Sequence, residues 1–199
     1  MKSLYLALVL LLLFVAVWAQ TNAQAAYVIY NTATKSKVSL VDVARIMNDA
    51  DMIFLGEIHD DSLSHVAELD LLKALNAQYP RKVALSMEMF ETDVQPILNE
   101  YLAGYIREKN FTTDSRAWPN YKTDYRPLVE FARAEKMPVI AANAPGRYTN
   151  MVTTGGLQRL KVLNRYALAY LPPCLLTQPL GLTMKNLLPK WADMVQWRA

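Results

Sequence analysis

Three short apolar bursts constrain this chain more than any other feature: "MIFLG" (52–56), "KVALSMEMF" (82–90) and "MPVIAANAP" (137–145). Each has the length and apolar density of a buried parallel strand rather than of a helix. The stretches between them carry helical spacing. After Asp60, Val66, Leu69, Leu72 and Leu75 recur at helical intervals, with Asp61 or Ser62 as a cap and Pro80 as the stop. Residues 92–110, with Pro96 in the first turn, and residues 125–136 predict two further helices. A β-like "AYVIYN" and a helix over 39–50 capped by Ser39 precede this pattern, and a short last helix over 153–173 follows it. Strands alternating with helices imply right-handed crossovers. They predict an α/β fold with a mostly parallel sheet and helices on both faces.

The N-terminus is set apart from this pattern. An apolar run from Leu4 to Ala19 follows Lys2, and Ala23-Gln24-Ala25 has the small-x-small form of a cleavage site. Residues 1–25 are therefore expected to be a signal peptide, with an uncleaved anchor as the alternative, since a bilayer span takes about 20 residues. Periplasmic or secreted location follows, with membrane attachment only through that segment. The remaining 174 residues suffice for one domain with a core. A formal charge of +3 on 199 residues is too weak and too dispersed to imply nucleic acid. The single cysteine, Cys174, forms no internal disulfide and has no histidine nearby to make it a nucleophile.

In parallel sheets, ligands bind beyond the carboxyl ends of the strands. The three bursts end, in turn, at Gly56-Glu57-Ile58-His59-Asp60, at Glu88, and at Asn143 followed by Gly146 and Arg147. Glu57 and Asp60 could load the start of the next helix, and His59 could be structural, but together with Glu88 they make an oxygen-rich set with one imidazole. Glu88, flanked by Met87, Met89 and Phe90, is expected to be buried and hence paired, to Arg126 or Arg147, or bound to a cation. Glu57, His59, Asp60 and Glu88 would suit Mn, Fe, Mg or Zn. His65 could face the same edge or lie exposed on its helix. Trp118, Tyr121, Tyr125, Arg126 and Phe131 form an aromatic group that either covers the core or stacks on a flat apolar ligand such as haem, ligated by a tyrosinate.

In order and spacing, "FLGEIHDD", "ALSMEMF", "WPNYKTDYRPLVEFA" and "PVIAANAPGRY" resemble the ChaN-like haem-binding uptake family of the Tiki superfamily, over roughly residues 27–173. The resemblance implies an exported α/β protein of haem and iron acquisition, with haem held at a homodimer interface by tyrosine and histidine. It implies a cofactor set drawn from His59, His65, Tyr121, Tyr125, Arg126, Asn143 and Arg147. The wider superfamily ties the matching G-E-x-H segment to metal-dependent hydrolysis, which would make Glu57, His59 and Glu88 catalytic in a rival reading. The expected layout is a signal peptide (1–25), a ChaN-like domain (26–173) and an atypical tail (174–199). That tail carries Pro179 and Pro189 and lacks the second glycine-and-histidine segment of the family, so the domain is expected to be truncated at its C-terminus. A binding protein for haem uptake or storage is favoured over an enzyme, with a non-functional truncated product as a third alternative.

Overall fold

A computed structural model describes residues 27–171. The signal peptide and the tail expected above lie outside the described residues. The described chain opens with an antiparallel hairpin of β1 (Ile29–Asn31) and β2 (Ser36–Val38), in register Ile29↔Val38. The Asn31 side chain shapes its turn by accepting from the backbone N–H groups of Ala33 and Thr34 at 3.0 and 3.1 Å. Helix α1 (Leu40–Ile46) follows at once, because Ser39 and Asp42 form a reciprocal capping box. Loss of such a cap typically costs about 1 kcal/mol.

The first apolar burst does not form a strand. From Met52 to Leu55 the side chains alternate: Met52 and Phe54 are 69% and 71% exposed, while Ile53 and Leu55 pack on Ala44, Leu71 and Leu75. The expectation of a strand buried on both faces is corrected here, since a run with one wet face need not join the central ladder. Helix α2 (Ser62–Gln78) begins at Asp61, whose carboxylate accepts from Leu63 N–H at 3.1 Å and Ser64 Oγ at 2.9 Å. Its inward face carries His65, Ala67, Leu71, Leu72 and Leu75, whereas Val66 is exposed.

The other two bursts pair as expected. Strand β3 (Leu85–Glu91) lies parallel to β4 (Val139–Asn143), with Leu85↔Val139 and Met87↔Ala141, then an irregularity before Glu91↔Asn143. The crossover between them contains α3 (Gln95–Leu102), α4 (Glu108–Asp114), a π-helical turn (Tyr121–Tyr125) and α5 (Arg126–Ala134). The continuous helix expected over 92–110 is instead broken at Gly104, whose φ of +79° lies in the left-handed region. Helices α6 (Gly146–Gly155) and α7 (Arg165–Leu168) complete the described residues, in place of a single last helix. The class is α/β, with a parallel pair and flanking helices.

The core lies on one side of that pair. Met87, Met89, Val139 and Ala141 point inward onto Leu98, Leu128, Val129 and a ring stack of Tyr101 on Phe111 at 4.3 Å. Alternation sends Ser86, Glu88, Ile140 and Ala142 to the opposite, exposed face. Gln95 closes the outer edge of β4: its amide donates to the Val139 carbonyl at 2.9 Å and accepts from Ala141 N–H at 2.7 Å. A side chain there stands in for a neighbouring strand.

Candidate functional site

The site forms where the 57–61 turn, the first turns of α2 and the π-helical turn meet. Glu57 lies at its centre. One of its carboxylate oxygens, Oε1, is 2.7 Å from His59 Nδ1 and accepts from the Tyr125 hydroxyl at 2.9 Å. Its other oxygen, Oε2, lies 3.4 Å from His65 Nδ1. Gly56 contributes little to this turn, since it keeps a negative φ and open space surrounds it.

His65, buried in the first turns of α2, bridges two shells. Its Nδ1 also faces Glu68 Oε2 at 3.0 Å, and its Nε2 reaches the His59 carbonyl at 3.2 Å. A carbonyl only accepts, so Nε2 carries the proton and Nδ1 is the atom presented to the two carboxylates. The same His59 carbonyl accepts from Asn120 Nδ2 at 2.7 Å, and Asn120 in turn donates to Asp124 at 2.9 Å. Ser62 Oγ donates to Asp124 at 2.9 Å, which ties the start of α2 to the π-helical turn.

These contacts set the titration behaviour of the cluster. Burial lifts Glu68 to about 7, reinforced by the neighbouring Glu57 and opposed by His65. Burial alone would lower His65, but hydrogen bonds to Glu68 and the His59 carbonyl and the nearby carboxylate charges raise it overall. Tyr125 is raised by burial and then by Glu57, so it stays a neutral donor. Asp124 resists the upward push of burial because Ser62 and Asn120 donate to it, and it ends below its ordinary value.

Aromatic rings wall the site. His59 meets Trp118 edge-on at 4.9 Å, Trp118 meets Tyr125 at 5.6 Å, and His65 leans on Tyr125 at 4.5 Å. The His59 side chain is nevertheless 56% exposed, and Met52, Phe54 and Ile58 expose apolar surface along the chain leading to it.

Other candidates named from the sequence are placed elsewhere. Glu88 is exposed rather than buried, because it sits on the outward face of β3 between the inward Met87 and Met89. Asp60 is exposed in the turn. Neither joins the convergent set, which among the described residues is Glu57, His65 and Glu68. Arg126 pairs with Glu108 at 2.7 Å and Arg147 pairs with Asp93, so neither serves Glu88. Asn143 ends β4 opposite Glu91. Tyr121 points into the core, edge-on to Phe111 at 5.7 Å. Glu68 was the residue missed, although His65 and Glu68 have the i, i+3 spacing that shares a helix face.

The parallel strand pair and its flanking helices define an α/β class of fold. The profile of the family described as "Haem-binding uptake, Tiki superfamily, ChaN" matches residues 43–186, and the chain belongs to that family. Among solved structures it resembles "Cofacial heme binding to ChaN of Campylobacter jejuni", with a TM-score of 0.53 and 20% identity over 65% of this chain and 53% of that one. Among curated proteins it resembles "Protein RETICULATA-RELATED 5, chloroplastic" of Arabidopsis thaliana, 26% identical over 134 residues, 63% of this chain and 18% of the plant protein. The chain thus spans about half of the solved relative and under a fifth of the plant protein.

Proposed function

We propose that this chain binds haem outside the cytoplasm, as a component of haem uptake or storage, with His59 as the iron ligand. The observation that carries this is the Glu57–His59 pair. Glu57 engages Nδ1 at 2.7 Å, which fixes the ring and leaves Nε2 without a partner among the described residues. Carboxylate-oriented imidazoles of this kind are effective metal ligands, and haem iron commonly takes histidine. The residues fit the group in a second respect. Trp118 and the exposed Met52, Phe54 and Ile58 offer an apolar surface to a porphyrin face.

The tyrosines fit less directly. Tyr125 is committed to Glu57, and Tyr121 is packed in the core. A ligand held by one exposed histidine leaves its far side open, and a second copy of the chain would cover it. The cofacial heme binding of the solved Campylobacter jejuni relative supports that arrangement. The apolar run at Leu4–Ala19 supports export.

Hemin titrated into the purified protein is expected to give a shifted Soret band that saturates at one haem per chain. His59→Ala should remove the shift, and Arg126→Ala should leave it intact. An unchanged Soret spectrum in His59→Ala would falsify the ligand assignment.

A further inference from the structure

We propose that Asn120 and Asp124, at the π-helical turn, are positioning residues for the His59 imidazole and act through the His59 backbone carbonyl. The inference rests on His59 as the haem ligand and names what aims it; both residues act without touching iron. His59 is gripped twice. Its ring is held by Glu57, whose Oε1 lies 2.7 Å from Nδ1. Its backbone is held by two side chains, Asn120 Nδ2 donating to the carbonyl at 2.7 Å and His65 Nε2 at 3.2 Å. An imidazole hangs from its backbone by two torsions, so a ligand nitrogen is placed no better than the peptide that carries it. Within the 57–61 turn, the Asp61 N–H bonds to the Ile58 carbonyl at 2.9 Å, whereas the next carbonyl, that of His59, takes these donors from other elements.

The contacts fix which way the Asn120 amide points. Both partners of its Nδ2, the His59 carbonyl at 2.7 Å and Asp124 Oδ2 at 2.9 Å, are acceptors, and an amide NH2 has one hydrogen for each. The flipped amide would set its own oxygen against two acceptor oxygens. Asp124 is 6% exposed and also accepts from Ser62 Oγ at 2.9 Å. The start of α2 thus holds the carboxylate that holds the amide.

The π-helical geometry explains why one short stretch supplies both grips. Its i→i+5 bond, from the Arg126 N–H to the Tyr121 carbonyl, widens the turn. Residues five apart on an α-helix point about 140° away from each other. Here residues 120 and 125 reach the same segment: Asn120 bonds the His59 carbonyl, and Tyr125 donates to the Glu57 carboxylate that holds the ring.

The test uses the full chain, first haem-free and then with hemin. The chain has two histidines, so nitrogen-15 labelling of histidine gives spectra of two imidazoles alone, and His59→Ala assigns them. At pH 8 the parent's His59 is expected to carry its proton on Nδ1, leaving Nε2 bare. Asn120→Ala should shift that ring to a mixture of both tautomers. It should also raise the hemin Kd about tenfold while leaving the Soret maximum in place. Asp124→Ala should act in the same direction, and the double variant should be little worse than Asn120→Ala alone, since the two act in series. A variant that melts earlier but keeps the parent's His59 tautomer and hemin Kd makes Asn120 a brace between α2 and the turn, and the proposal is overturned. Additive hemin losses in the double variant overturn the part given to Asp124. If the parent binds no hemin through His59 while Asn120→Ala still changes the tautomer, the haem reading falls and the positioning of the ring stands. Should Asn120→Ala not fold, Asn120→Ser, whose hydroxyl stops one bond short, is measured alike, and an unmoved tautomer there counts against the proposal equally.

Discussion

Tyr121 and Tyr125 stand four residues apart in one π-helical turn, yet their hydroxyls meet opposite fates. Tyr125 donates to Glu57, while the Tyr121 hydroxyl is buried with no hydrogen-bond partner among the described residues. Burial raises the pKa of both phenols. An orphaned buried hydroxyl typically carries a desolvation penalty of about 1–3 kcal/mol. Tyr121→Phe is therefore expected to raise stability, by about 1 kcal/mol on that scale. Urea denaturation would show it as a higher midpoint at unchanged slope, and a lower midpoint would refute it. The hemin spectrum of this variant should match the parent's. The sequence shows both tyrosines beside Trp118 and cannot separate them by helical spacing, because the turn that separates them is not α-helical. Glu57 and His59 were legible because their adjacency follows an apolar burst. Glu68 was not, since acidic residues on helices are usually solvated and its partner lies on the same helix.

At the scale of elements, the turn after β3 acts as a clamp. Asp93 pairs with Arg147 of α6 and, at 2.6 Å, with Arg116 in the loop after α4, and Arg116 also reaches Glu91 at 2.6 Å. Burial pushes Asp93 upward, but the hydrogen bonds from Arg147 and Arg116 hold it below its ordinary 3.8 overall. A depressed carboxyl contributes stability that is complete above the unfolded value and is lost as pH falls through the folded one. The parent is thus expected to lose stability on acidification from about pH 4 downward. Asp93→Asn should be less stable at pH 7 and should show a shallower acid decline, as measured by urea midpoints at pH 7, 4 and 3. Equal declines in the two proteins would remove Asp93 as a cause. Elements differ in how visible they are beforehand. β3 and β4 were legible as apolar bursts, but the same density misled at 52–56, where alternate side chains face solvent. Reading β3 as buried on both faces likewise placed Glu88 inside, when period-two geometry puts it opposite Met87 and Met89.

For the whole molecule, the consequence is a sheet with one dry and one wet face. Phe90 is fully buried, whereas Ile140 on the outward face of β4 is 47% exposed. Phe90→Ala should cost about 3–5 kcal/mol, while Ile140→Ser should stay within about 0.5 kcal/mol. Calorimetric melting of both variants checks this contrast. A large loss in Ile140→Ser would show that the outward face is covered in the intact protein, by a second copy or by residues beyond those described.

The Gln95 amide gives this sheet a direction. By occupying the Val139 carbonyl and the Ala141 N–H, it stoppers the sheet on the β4 side. Those two backbone groups are thus spent within the fold, and a strand arriving along that edge would have to displace a side chain before it could pair.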